Sequence, residues 1–155
     1  RSVDLSSLLS DWCAKREAPA HEVGQQVQRD IKDGVQTRTD PLVLSAIVNN
    51  LLDNAISYSN GAEPIVVRLT QIAGVCCISV ENSCEPMEAQ DVEGMFEPFW
   101  RKRGTTVNGN HSGLGLALVR ALCEAIRVTV HAQLLSDRRL AVIVTVPQHN
   151  SAGTD

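Results

Sequence analysis

Leu5, Leu8, Leu9, Trp12 and Cys13 recur at intervals of three and four behind Asp4, which predicts a helix over 5–18 with Pro19 at its end. Val27 to Ile31 and Val35 to Thr39 alternate about Asp33-Gly34, the signature of two strands joined by a tight turn. Thr39-Asp40-Pro41 then offers an N-cap acceptor followed by proline at the first helical position, where its missing N–H is harmless. Leu44, Ile47, Val48, Leu51, Leu52 and Ala55 form a one-sided stripe, so a helix is expected over 41–59 with Asn60-Gly61 as its stop. A second hairpin is predicted from Pro64 to Ile72 and from Val75 to Val80, turning at Ala73-Gly74.

Periodicity lapses over 81–112, which reads as a loop carrying a short helix near 88–95. It returns at Ser112-Gly113, behind which Leu114, Leu118, Val119, Leu122 and Ile126 define a further helix. Val128 to Leu134 and Leu140 to Val146 close the chain as strands about Ser136-Asp137. This order is not the strict β-α-β alternation of a doubly wound parallel sheet. It predicts an α+β protein, with a mixed, mostly antiparallel sheet and helices packed on one face.

Composition narrows the possibilities. The 155 residues suit one domain spanning 1–155, with a core over about 4–147 and a polar tail over 148–155. Fourteen basic against eighteen acidic side chains give a net charge of −4, the wrong sign for a domain that neutralises nucleic-acid phosphates. No apolar run nears the ~18–20 residues a bilayer crossing needs. Five cysteines, an odd number without metal-ligand spacing, fit a reducing cytoplasm. The chain opens on Arg1 with no visible signal peptide, and so reads as a piece of a longer protein.

Three features carry candidate chemistry. Asn50 and Asn54 lie four apart, hence on one helix face, while Asn49 and Asp53 are expected to turn toward solvent. Asparagine inside a helix costs up to ~0.7 kcal/mol relative to alanine, so a repeated amide invites a function beyond an ordinary polar helix side. Gly113-Leu114-Gly115-Leu116 opens a helix, and uncluttered N–H groups at the positive end of the helix dipole suit an anion; glycine there serves helix packing as often. Met95-Phe96-Glu97-Pro98-Phe99-Trp100-Arg101 crowds aromatic rings before the cations Arg101, Lys102 and Arg103, an arrangement also found in plain loop cores.

Together, in this order, these motifs resemble those of sensor histidine kinase catalytic domains. Asn50-Leu51-Leu52-Asp53-Asn54-Ala55 with Tyr58-Ser59 is similar to the N box, Phe96 to Arg101 to the F box, and Gly113 to Leu116 to the G2 box. The resemblance covers about 4–147, and the superfamily is shared with gyrase, Hsp90 and MutL. It implies a two-layer Bergerat α/β sandwich holding Mg-ATP between the N-box helix and the loop before the G2 helix. By the resemblance Asn54 is the magnesium ligand, with Asn50 beside it where hydrolytic branches often carry a catalytic glutamate. Arg101 reaches the terminal phosphates, Tyr58 flanks the base or ribose, and Gly113, Leu114, Gly115 and Leu116 present backbone to the phosphates. The γ-phosphoryl then passes to a histidine on a separate dimeric helical domain, which serves a response regulator; the fragment itself is expected to be monomeric.

One box departs from the pattern. The G1 box, usually Asp-x-Gly-x-Gly, is matched here by Asn82, Cys84 and Pro86. Asn82 accepts only a neutral hydrogen bond from the adenine amino group, a difference of about 1 kcal/mol. Proline and cysteine also forbid the backbone freedom of the glycines they replace. Ser57 stands where many relatives carry a phosphate-binding cation. The rival readings are a pseudokinase docking module, an anti-sigma-type serine kinase of the same fold, and a gyrase- or Hsp90-like ATPase. Asn50 in place of glutamate counts against the last. His21-Glu22, His111, His131, His149, the Asn110-His111-Ser112 sequon and a redox role for Cys84 are set aside as ordinary surface or filler residues.

Overall fold

The computed structural model describes residues 2–98 and 115–147. Arg101, Lys102, Arg103, Gly113, Leu114, His111, the sequon and the tail over 148–155 lie outside the described residues. In chain order the elements are β1 (Ser2–Asp4), α1 (Leu5–Glu22), β2 (Val27–Ile31), β3 (Gln36–Arg38), α2 (Pro41–Tyr58), β4 (Ile65–Ile72), β5 (Val75–Ser83), α3 (Ala89–Gly94), α4 (Gly115–Ala125), β6 (Thr129–Ser136) and β7 (Arg139–Val146). Five strands form one sheet in the order β2-β4-β5-β7-β6, parallel only between β2 and β4 and antiparallel elsewhere. The helices α1, α2 and α4 cover one face of it, giving the α+β two-layer sandwich expected from the sequence.

α2 follows its local code closely. Asp40 Oδ1 accepts from the N–H groups of Leu42 and Val43, and Pro41 occupies the first turn. The whole expected stripe, Leu44 to Ala55, is buried. It meets the inward residues of the sheet, Ile65, Val67, Leu69, Ile78, Val80, Val142 and Val144. Burial of that stripe sets the rotation of α2, and with it the direction of the amides that flank it. The β4–β5 turn has φ of 53° at Ala73 and 80° at Gly74, both in the left-handed region that a twisted two-residue hairpin requires.

Two expectations fail. The predicted hairpin over 27–39 does not form: β2 runs parallel to β4, and β3 pairs antiparallel with β1 in a separate ribbon. The Asp33-Gly34 bend exists, with Gly34 at φ 70°, but Ser6 occupies the ladder position. Its hydroxyl donates to the Lys32 carbonyl at 2.5 Å and accepts from the Val35 N–H at 2.9 Å. The groups that would close a hairpin are thus taken by α1. α1 also passes through Pro19 and ends at Glu22. Gly24, at φ 76°, lets the Gly24 and Gln25 N–H groups reach the His21 and Ala20 carbonyls, a Schellman closure that a proline within the helix does not pre-empt.

Candidate functional site

α2, β5, β7 and the start of α4 enclose a cleft of ≈ 890 Å³, its open mouth included. Alternation along β5 sends Val80 and Asn82 to the same face, and their register partners on β7, Val142 and Leu140, stand beside them. Leu51 and Ala55 come from α2, Met87 and Met95 from the segments flanking α3, and Leu116 from α4. These apolar walls form a slot suited to a flat ring. The polar groups lining it are Asn54, Tyr58, Asn82, Cys84 and Glu85.

Asn54 and the start of α4 approach closely. A Cβ placed on Gly115 would lie 3.1 Å from Asn54 Oδ1, tighter than nearly all real Cβ contacts. Glycine therefore lets the first turn of α4, whose leading N–H groups have no acceptor within the helix, come up to the amide. The arrangement joins a carbonyl-type oxygen, fit for a hard cation, to a helix end fit for an anion. Among the described residues no group of three or more His, Cys, Asp and Glu could hold a metal.

The other expected site residues divide. Tyr58 follows Asn54 by one turn of α2 and lines the cleft, as do Asn82 and Leu116. Asn82 is only 4% exposed, and its Nδ2 donates to the Ser83 carbonyl at 3.0 Å, leaving Oδ1 as the acceptor the side chain offers. Asn50 is not among the residues lining the cleft; its Nδ2 donates to the Ala46 carbonyl at 2.7 Å, which fixes the amide against its own helix. Asn49 does not turn toward solvent as expected. It is half-buried, its Nδ2 donates to Ser45 Oγ and its Oδ1 is buried without a partner, because α1 covers this side of α2. Asp53 does face outward, paired with Arg16 at 3.0 Å.

Sequence reasoning singled out neither Met87, Met95 and β7 as walls nor Glu85 as a lining carboxylate. The period-two alternation of β5 contained a signal for Val80 with Asn82; the contribution of β7 depends on a strand pairing across some 60 residues. The 82–85 segment is strapped to the end of α2 by Asn60. Its N–H donates to the Ser83 carbonyl at 3.2 Å, and its Nδ2 to the Cys84 carbonyl at 3.1 Å and Glu85 Oε2 at 3.5 Å.

The sheet, the cleft and its amide-to-glycine contact define an ATPase-type sandwich, and the chain belongs to the family described as histidine kinase-, DNA gyrase B- and HSP90-like ATPase, which matches residues 39–150. It is 30% identical over 149 residues to the swarming motility regulation sensor protein RssA of Serratia marcescens, covering 95% of this chain and 31% of that protein. It is 33% identical over 133 residues to the sensor histidine kinase CusS of Escherichia coli K12, covering 84% and 27%. The chain thus spans about a third or less of these relatives. Among solved structures, the mycobacterial sensor histidine kinase MprB superposes with a TM-score of 0.82 at 20% identity, over 95% of this chain and 97% of that one. Within the family the chain is a histidine kinase-type catalytic ATPase domain. No helix among the described residues is long and apolar enough to cross a membrane.

Proposed function

We propose that the chain, acting as one domain, binds Mg-ATP in this cleft and serves the transfer of the γ-phosphoryl group to a histidine on a separate dimeric helical domain of its parent protein. A response regulator would receive the phosphoryl group from that histidine. The observation that carries the reading is the contact between Asn54 and the glycine-opened start of α4. Bound Mg-ATP supplies the phosphoryl group and a cation that screens its oxygens.

The chain's own residues would divide the remaining work. The slot between Leu51, Ala55, Val80 and Leu140 takes the base, with Asn82 Oδ1 as an acceptor at its floor and Tyr58 at its side. Asn54 Oδ1 holds the metal. Asn50, one turn before Asn54 on α2, is given a second contact with metal or metal-bound water by the family resemblance alone, its Nδ2 donating to the Ala46 carbonyl. Gly113, Leu114, Gly115 and Leu116 offer backbone to the phosphates, and Arg101 neutralises charge at the terminal phosphate as the transfer proceeds. An amide at position 50 cannot accept a proton near neutral pH, so water is poorly activated and the imidazole of the acceptor domain is the favoured nucleophile. Its nitrogen bonds to the γ-phosphorus as the bond to the β–γ bridging oxygen breaks. ADP leaves, and the imidazole proton passes to solvent.

The alternative of a docking domain without nucleotide is favoured by one observation, the residues Asn82, Cys84 and Pro86 where the family's usual G1 box has Asp and Gly. Calorimetric titration with Mg-ATP, Mg-ADP and Mg-GTP separates the two. Saturable, magnesium-dependent heat with the adenine nucleotides is expected; its absence would leave the docking domain as the better account.

A further inference from the structure

We propose that Asn60 is a positioning residue for the far end of the cleft: it stands in for the strand partner that the backbone beyond Glu81 lacks, and so fixes the path on which Asn82 and Cys84 line the site. The inference rests on the nucleotide reading of the cleft and adds to it a residue that is not itself among those lining the cleft. The β4–β5 ladder ends where Val66 faces Glu81, and β4 starts at Ile65, so β4 supplies no ladder partner to residues 83 and 84. On the other edge β7 pairs as far as Arg139 with Ser83, and the Cys84 N–H donates to the Arg138 carbonyl at 2.9 Å. Ser83 and Cys84 are both buried, and a buried carbonyl without a partner is costly. Asn60 serves both of theirs: its N–H donates to the Ser83 carbonyl at 3.2 Å and its Nδ2 to the Cys84 carbonyl at 3.1 Å. Its Oδ1 accepts from the Ala62 N–H at 3.0 Å, a local turn that holds the side chain in the orientation presenting Nδ2.

Two features carry this clamp into the site. The Ser83 carbonyl also accepts from Asn82 Nδ2 at 3.0 Å, so a single oxygen joins the Asn60 backbone to an amide that lines the cleft. The other end of the clamp is firm, because the buried Gln25 donates from Nε2 to the carbonyls of Ile56 at 3.3 Å and Ser59 at 3.0 Å and closes the last turn of α2 just before Asn60. That helix also carries Asn54, so Asn60 sets the 83–84 wall at a fixed distance from the amide at the opposite end of the cleft. Without the Nδ2 donor the 83–84 backbone is free to leave this path, and the apparent affinity for a nucleotide falls with the fraction of molecules that keep it. The turn through Ala62 needs only the oxygen of residue 60, whereas the clamp needs the nitrogen, and the two roles are separable by substitution.

The test compares Asn60→Ala and Asn60→Asp with the wild-type chain by calorimetric titration of ATP, with magnesium and with a chelator in its place. Asn60 is exposed, so both variants are expected to fold, with an unchanged far-ultraviolet dichroism spectrum as the check. Asn60→Ala should weaken ATP by about fivefold, the worth of one neutral hydrogen bond, under both conditions, so that the gain in affinity from magnesium stays as in wild type. Asn60→Asp keeps the acceptor for the Ala62 N–H but turns an oxygen toward the Cys84 carbonyl and the Glu85 carboxylate, and should weaken ATP at least as much as alanine does. An affinity within twofold of wild type for Asn60→Ala overturns the proposal. So does a wild-type affinity for Asn60→Asp, which would assign the effect to the turn, and so does a loss confined to the magnesium-dependent part, which would place the disturbance at Asn54. Failure of the wild-type chain to bind Mg-ATP at all would remove the nucleotide reading and this inference together, whereas wild-type binding with indifferent variants removes this inference alone.

Discussion

Asn54 stands half-buried on α2, against Gly115 and on the wall of the cleft, at the edge of the buried stripe that anchors the helix. Removing its amide takes away an oxygen aimed at the site and disturbs no core contact. Asn54→Ala is therefore expected to abolish the magnesium-dependent part of nucleotide binding while stability stays within ~1 kcal/mol of wild type. Titrations with and without magnesium, beside a urea unfolding curve, check both halves; an unchanged Mg-ATP affinity would refute the metal role. That Asn54 faces a glycine-opened helix was implied by the family resemblance, and its contact with Gly115 came from the tertiary structure. The different fates of Asn49 and Asn50 were not legible in the sequence, because the acceptors that hold them, Ser45 Oγ and the Ala46 carbonyl, are chosen by rotamers that a helical wheel does not show.

Helix ends divide in the same way. α4 closes with the Arg127 N–H on the Glu124 carbonyl and the Val128 N–H on the Cys123 carbonyl, and Val128 is buried against the core. This is a Schellman closure with arginine, at φ 59°, in the position glycine usually fills. Arg127→Gly should relieve the left-handed strain and stabilise the domain by about 1 kcal/mol, seen as a raised midpoint in thermal or urea unfolding. A lowered midpoint would mean that the exposed side chain does more than occupy a cap. α1 carries glycine at the equivalent place, Gly24, and the helix runs on to it past Pro19 because Ala20 is fully buried beyond the proline. The Asp33-Gly34 bend was correctly read as a turn and wrongly paired, since Ser6 supplies from 26 residues away the partners a hairpin would have supplied locally.

Packing of the helices on the sheet leaves all five cysteines free and most of them buried. Burial pushes the Cys13 and Cys123 thiols up to about 11 from an ordinary 9.0, with the nearby Arg29 lowering Cys13 only partly. The unfolded chain loses these protons first as pH rises, so the stabilisation is whole below pH 9 and is lost on the way to about pH 11. Urea midpoints should fall across that window, and the fall should flatten in a Cys13→Ala, Cys123→Ala double variant; an identical slope would contradict burial as its cause. The other sheet face carries charge: Arg68 pairs with Asp30 and Glu81, and Arg139 reaches Glu81 at 3.7 Å. Local periodicity and capping were enough to locate α2, the β4–β5 and β6–β7 hairpins and the order of the three motifs, because each depends on residues within about one turn or one ladder step. Which strand neighbours β2, where α1 stops and which residues wall the cleft required contacts between segments far apart in the chain. Such contacts form only when buried side chains and backbone partners compete for the same space, and no local pattern encodes the winner.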